Sequence, residues 1–159
     1  EVKVSEVHGM SQRGGSVVTY VKYGDKVYSP VVEKGEADLI VSFEQLEAAR
    51  SLPYLRKGGT IITSTQKLDP MPVITGATTY PEDIFNQFRN AGVDFVSVNA
   101  LELAEQAGSA KASNVVLMGV VSTKMSIEKE VWLKALEECV PAKFLELNKK
   151  AFELGRECY

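Results

Sequence analysis

Apolar and polar residues alternate from the start of the chain, with Val2, Lys3 and Val4 predicting a strand and Val17–Tyr23 supplying a second, β-branched and aromatic run. Gly24-Asp25 then reads as a tight II′ turn, with Lys26-Val27-Tyr28 as a return strand that Pro30 marks as lying near an edge. The expected product is a β-hairpin projecting from a main sheet, with Tyr20, Tyr23 and Tyr28 on it. Ala37–Val41 has the apolar continuity of a short buried strand, Ser42 with Gln45 three residues later predicts a capped helix running toward Leu52, and Pro53 interrupts it. Gly58-Gly59 is expected to end that helical stretch, and Thr60–Thr63 to form the next buried strand.

Residues 64–79 are polar and punctuated by Pro70 and Pro72, which predicts a loop or small ribbon. Pro81-Glu82-Asp83 suits the first turn of a helix with Ile84, Phe85, Phe88 and Ala91 on its apolar stripe and Gly92 at its end. Val93–Val98 reads as a strand, and Asn99 with Glu102 as the capping pair of a helix through Ala107. Val115–Val121 is ambiguous, since its β-branching predicts a strand while Ser113-Asn114 resembles a helix cap; on the residues alone we read a strand. Ser126 is expected to cap a helix with Ile127, Val131, Ala135 and Leu136 inward, and Pro141 to open a last one with Phe144, Leu147, Ala151 and Leu154 on one stripe. The alternation of strands and helices predicts an α/β fold, and nothing in the pattern calls for a second domain within residues 1–159.

Composition narrows the function classes. The 159 residues are 45% hydrophobic with a net charge of −3, enough apolar material for a core, and basic residues are scattered among acidic ones, which argues against nucleic acid as a partner. The longest apolar run, Val115–Val121, falls far short of the roughly 20 residues of a membrane helix. Cys139 and Cys158 stand apart, without the spacing of a zinc or iron-sulfur site, and predict reduced thiols in a cytoplasmic protein.

Local chemistry is densest at residues 6–15, where Glu6, His8, Ser11, Gln12 and Arg13 lie among Gly9, Gly14 and Gly15 between the first two strands. Glycine allows close approach of a backbone or ligand, and the Arg13 guanidinium fits phosphate or carboxylate, so the stretch reads either as an anion- or partner-binding loop or as a turn whose arginine is solvated. Glu6 and His8 fall on the same side of a strand, yet a single histidine beside a loop is more often a hydrogen-bonding residue than a general base. Ser42, Phe43 and Glu44 lie at a strand's carboxyl end, where open α/β sheets place ligand crevices, although capping alone accounts for Ser42. Neither Gly-x-Gly-x-x-Gly nor Gly-x-x-x-x-Gly-Lys-Ser/Thr occurs.

His8-Gly9-Met10-Ser11-Gln12-Arg13-Gly14-Gly15-Ser16-Val17-Val18, followed by Tyr28-Ser29-Pro30, Lys34-Gly35-Glu36-Ala37-Asp38 and Glu47-Ala48, resembles the small (beta) subunits of indolepyruvate:ferredoxin oxidoreductases. These belong to the gamma-type domains of 2-oxoacid:ferredoxin oxidoreductases. The resemblance implies a Rossmann-like three-layer α/β fold with a projecting hairpin and C-terminal helices. It also implies that Val115–Val121 lies in a buried helix with Asn114 at its start and Gly119 allowing close packing. Family members begin with a strand and a glycine-rich turn, whereas this sequence opens in what reads as the second strand. That segment is therefore expected to lie outside these residues, and no role of its turn is carried over.

The implied activity is oxidative decarboxylation of aryl pyruvates to aryl-acetyl-CoA with electrons passed to ferredoxin. Thiamine diphosphate and 4Fe-4S clusters are expected in a larger alpha subunit, coenzyme A as cosubstrate, and this chain as inactive alone and holding no metal. His8, Gly9, Ser11, Gln12, Arg13, Gly14 and Gly15 would then face the partner or the coenzyme A path, and the free hairpin edge adds self-association as an expectation. Two other classes remain open: a free-standing α/β module that binds a nucleotide or coenzyme, and a purely structural subunit.

Overall fold

The computed structural model describes residues 1–8 and 17–159. β1 (Val2–His8) and β2 (Val17–Tyr23) form an antiparallel ribbon in which Val2 lies opposite Tyr23 and His8 opposite Val17. A separate sheet of three parallel strands follows, built from β3 (Ala37–Ser42), β4 (Leu55–Ser64) and β5 (Asp94–Val98) in that spatial order. Between these strands lie α1 (Gln45–Ser51), the one-turn α2 (Met71–Ile74) and α3 (Ile84–Asn90). After β5 come α4 (Ala100–Ala107), α5 (Ser113–Lys124), α6 (Lys129–Cys139) and α7 (Leu145–Glu157).

The parallel sheet is covered on both faces, which is why its central strand reads as a continuous apolar run. Ile61 points with Ile40 into a cluster with Ala48 of α1 and Ile84 and Phe88 of α3. Ile62 points the other way, with Val96 and Val98, onto Ala104 of α4, Val116 and Val120 of α5 and Phe152 of α7. Helix, sheet and helix thus form the three layers expected, and the ribbon stands apart, hydrogen-bonded in neither of its strands to the parallel sheet.

Several local expectations are corrected. The hairpin partner of β2 is β1, not Lys26–Tyr28, because β1 offers seven residues in register, while the three after Gly24-Asp25 soon meet Pro30, which lacks an amide donor. The Gly24 amide donates to Glu1 O at 3.1 Å and closes the ribbon's root; residues 24–36 contain no strand. Ser42 does not cap α1. Its hydroxyl donates to the Glu44 carbonyl at 2.7 Å, and the carboxylate of Glu44 takes the cap by accepting from the Glu47 amide at 2.9 Å.

Gly58-Gly59 does not end a helix either, because β4 passes through both. An added Cβ at Gly59 would meet Ala37 O and Asp38 O at 2.9 Å, and the pairing shifts register between Ala37 and Leu39 at that close approach. Residues 64–79, expected to be a loop or ribbon, include the single turn α2. Helix α3 begins after Asp83 rather than at Pro81, and Ala91 is exposed.

Residues 115–121 form part of α5, as the resemblance implied and against the strand reading of the residues alone, although the helix starts at Ser113. A helix buried against β4 on one side and α7 on the other is apolar nearly all round, so no helical periodicity is visible in it. In α6, which starts after Glu128 rather than Ser126, Trp132, Leu133 and Leu136 pack inward, while Val131 and Ala135 are exposed. The core of α7 includes Phe152 and Gly155 beside Ala151, and Phe144 is exposed.

Candidate functional site

The carboxyl ends of β3, β4 and β5 come together through backbone contacts. Thr65 N donates to Val98 O at 2.9 Å, Gln45 N to Gln66 O at 3.2 Å, and the Gln45 amide Nε2 to Thr65 O at 2.5 Å. The turns after β3 and β4 are thereby locked beside each other. Glu44 sits at the centre of this junction and is only 5% exposed.

A buried carboxylate is tolerated only if donors replace its water. Besides the Glu47 amide, Glu44 accepts from the Leu68 amide at 3.3 Å and from the Tyr80 hydroxyl, which in turn accepts from Leu46 N at 3.2 Å. One side chain therefore ties the start of α1 to both ends of the 65–80 connection. Burial, with the Glu44 carboxylate beside it, pushes the Tyr80 phenol well above the usual tyrosine range.

Next to this junction is an open cleft of about 290 Å³ lined by Gln45, Lys67, Asp83, Phe85, Asn86 and Arg89. The Lys67 ammonium lies 5.6 Å from the Tyr80 ring centroid, and the Arg89 guanidinium lies 5.6 Å from that of Phe95. Arg89 Nη1 also donates to Asn86 Oδ1 at 2.6 Å. Asp83, at the cleft's edge, has φ +57°, a left-handed backbone that aspartate tolerates better than most residues. The cleft thus carries two cations, each near an aromatic face, and one carboxylate.

Of the residues singled out in the sequence, His8 ends β1 opposite Val17, while Gly9, Ser11, Gln12, Arg13, Gly14 and Gly15 lie outside the described residues. Ser42 ends β3 and Glu44 caps α1, both buried, and neither is among the residues that line the cleft. Gln45, Lys67, Tyr80 and Arg89 were not foreseen as companions, because 34 to 36 residues separate Tyr80 from its partners Leu46 and Glu44, with no local signal linking them. Cys139 ends α6 and Cys158 caps α7, both as free, exposed thiols. No helix among the described residues is long and apolar enough to cross a membrane.

A three-layer α/β unit with a separate antiparallel ribbon defines the class, and residues 1–158 match the family described as pyruvate ferredoxin/flavodoxin oxidoreductase, so the chain belongs to that family. It is 41% identical to the indolepyruvate oxidoreductase subunit IorB of Thermococcus kodakarensis, an alignment covering 98% of this chain and 79% of the relative. The fold is shared with the gamma subunit of a keto/oxoacid ferredoxin oxidoreductase from Geobacter sulfurreducens, with TM-score 0.68 at 21% identity over 99% of this chain and 79% of that one. It is shared also with pyruvate oxidoreductase subunit PORC of Thermotoga maritima, with TM-score 0.70 at 17% identity over 99% and 79% of the respective chains.

Proposed function

We propose that this chain is the small subunit of a cytoplasmic, ferredoxin-dependent 2-oxoacid oxidoreductase that converts indolepyruvate and other aryl pyruvates to aryl-acetyl-CoA. The observation that carries this is the 41% identity, across nearly the whole chain, to a subunit named for indolepyruvate oxidation. Thiamine diphosphate and 4Fe-4S clusters belong, on this proposal, to a larger alpha subunit. A four-iron cluster takes four cysteine thiolates where this chain has two, and among the described residues no group of three or more His, Cys, Asp or Glu side chains converges to hold a metal ion.

The part left to this chain is binding and closure. His8, Gly9, Ser11, Gln12, Arg13, Gly14 and Gly15 face the alpha subunit or the coenzyme A path, with Arg13 offering its planar fork to an anionic group. The Glu44–Tyr80 junction keeps the neighbouring crevice rigid. Copurification with a large, cysteine-rich thiamine enzyme, together with coenzyme A-dependent reduction of ferredoxin by indolepyruvate, tests the assignment. Tight binding of coenzyme A by the chain without any partner would support a free-standing module instead.

A further inference from the structure

Residues 69–79, which include α2, are tied to one another and hardly to the rest of the chain. Among the described residues every hydrogen bond they make stays inside the segment, beginning with the Val73 amide, which donates to Pro70 O at 2.8 Å. Pro72 O alone accepts from the Ala77 and Thr78 amides, at 2.9 and 3.2 Å, and from the Thr75 hydroxyl. None of these residues joins either core cluster, and Met71 and Ile74 are each 66% exposed. A segment with its own hydrogen bonds and no share of the core is a compact unit that core packing does not hold down.

The two stems of this unit differ. Tyr80 is fixed, since its ring packs on the cluster of Ile84 and Phe88 and its hydroxyl donates to Glu44. Beyond Gln66, whose carbonyl accepts from the Gln45 amide, the other stem is held by one hydrogen bond, from the Leu68 amide to Glu44 Oε1 at 3.3 Å. Breaking that bond exposes little new apolar surface, because Leu68, at 61% exposure, already faces water as Met71 and Ile74 do. Lys67, which lies over the Tyr80 ring and lines the cleft, sits at the stem that gives way.

We propose that residues 69–79 are a flap that swings as one body about the Tyr80 stem, with the bond from the Leu68 amide to Glu44 as its latch. Release draws Lys67 off the Tyr80 ring and out of the cleft wall, while Arg89, on α3, stays. Asp83, whose left-handed backbone leads the chain into α3, lies beyond the fixed stem and keeps its place. The flap thus sets the charge of the cleft: two cations to one carboxylate with the latch closed, and one of each with it open.

The test is nitrogen-15 relaxation of the full chain from nanoseconds to milliseconds, with amide exchange covering slower opening. Amides from Lys67 to Thr79 should report one shared opening process, absent from Ile61 and Ile62 in β4 and from Phe85 and Arg89 in α3. Glu44→Gln should raise the open-to-closed ratio about tenfold, because a neutral acceptor holds the Leu68 amide less strongly than a carboxylate. Leu68→Pro removes the donor and leaves the α1 cap intact, so it should raise the ratio at least as far, and it decides the matter if Glu44→Gln fails to fold. Different rates along residues 69–79 overturn the single body, and a ratio unchanged in Leu68→Pro overturns the latch. A process that spares Lys67 overturns the link to the cleft. Relaxation and exchange throughout the segment that match those of Ile61 and Ile62 overturn the flap itself.

Discussion

Gly119 and Gly155 mark the point where α5 and α7 touch backbone to backbone. A Cβ on Gly119 would lie 3.0 Å from Gly155 Cα and 2.2 Å from Phe152 O, and one on Gly155 would lie 2.0 Å from Val116 O. Neither neighbour is a flexible side-chain end, so a substitution must push the helices apart beneath the sheet. Gly119→Ala should cost about 3 kcal/mol and lower the thermal midpoint by about 6 to 12 °C, measured by calorimetry. Gly155→Ala should behave alike. The double variant should cost clearly less than the sum of the two, because the first methyl already opens the gap that the second needs.

Removing the Tyr80 hydroxyl takes a donor from a buried carboxylate. Tyr80→Phe should therefore destabilise the chain by about 1.5 to 3 kcal/mol in urea titrations at neutral pH. Glu44→Gln should also destabilise it, by removing the charged acceptor that holds the α1 amide, the Leu68 amide and the Tyr80 hydroxyl together.

The same pair predicts a pH dependence at the alkaline end. The folded state holds the Tyr80 phenol above its ordinary value, so the unfolded chain loses that proton first as pH rises. The stabilisation is fully present below about pH 10, the ordinary tyrosine value, and is lost progressively above it. Urea midpoints between pH 9 and 11 should fall more steeply in the wild type than in Tyr80→Phe. Parallel curves would contradict the linkage.

How far the sequence reached depended on the kind of signal. Strands β1, β2, β3 and β5 and the second half of β4 were legible because alternation and β-branched runs are local, whereas residues 55–59 of β4 read as the end of a helix; α4 was legible from the Asn99 and Glu102 pair, whose side chains share a 2.8 Å hydrogen bond. Helix α5 was not legible from its residues, because burial on two sides removes the periodicity that identifies a helix. The hairpin was misplaced for a related reason: a turn signal at Gly24-Asp25 is local, whereas the choice of β1 as partner depends on a register that closes across residues 9–16. At the crevice, Glu44 was visible as a strand-end residue. The Tyr80 hydroxyl that completes its hydrogen bonding comes from 36 positions away and has no counterpart in local pattern.

Arg13 is the residue on which the proposed role of the 8–15 stretch turns. In the assembled enzyme, Arg13→Ala should lower activity roughly tenfold or more, consistent with loss of a charge-assisted contact of about 1.5 to 3 kcal/mol. Arg13→Lys should recover only part, since an ammonium lacks the bidentate fork. If excess chain restores the full rate of Arg13→Ala, the residue holds the partner rather than a substrate; unchanged rate and assembly would remove it from the site.

The central claim, that this chain completes an aryl-pyruvate oxidoreductase, is tested most directly by adding it stepwise to the larger subunit while following coenzyme A-dependent ferredoxin reduction with indolepyruvate. The rate should rise from near zero and saturate at a fixed subunit ratio, with the chain alone inactive. A larger subunit that turns over at full rate without the chain, or an assembled pair that leaves indolepyruvate untouched, would contradict it.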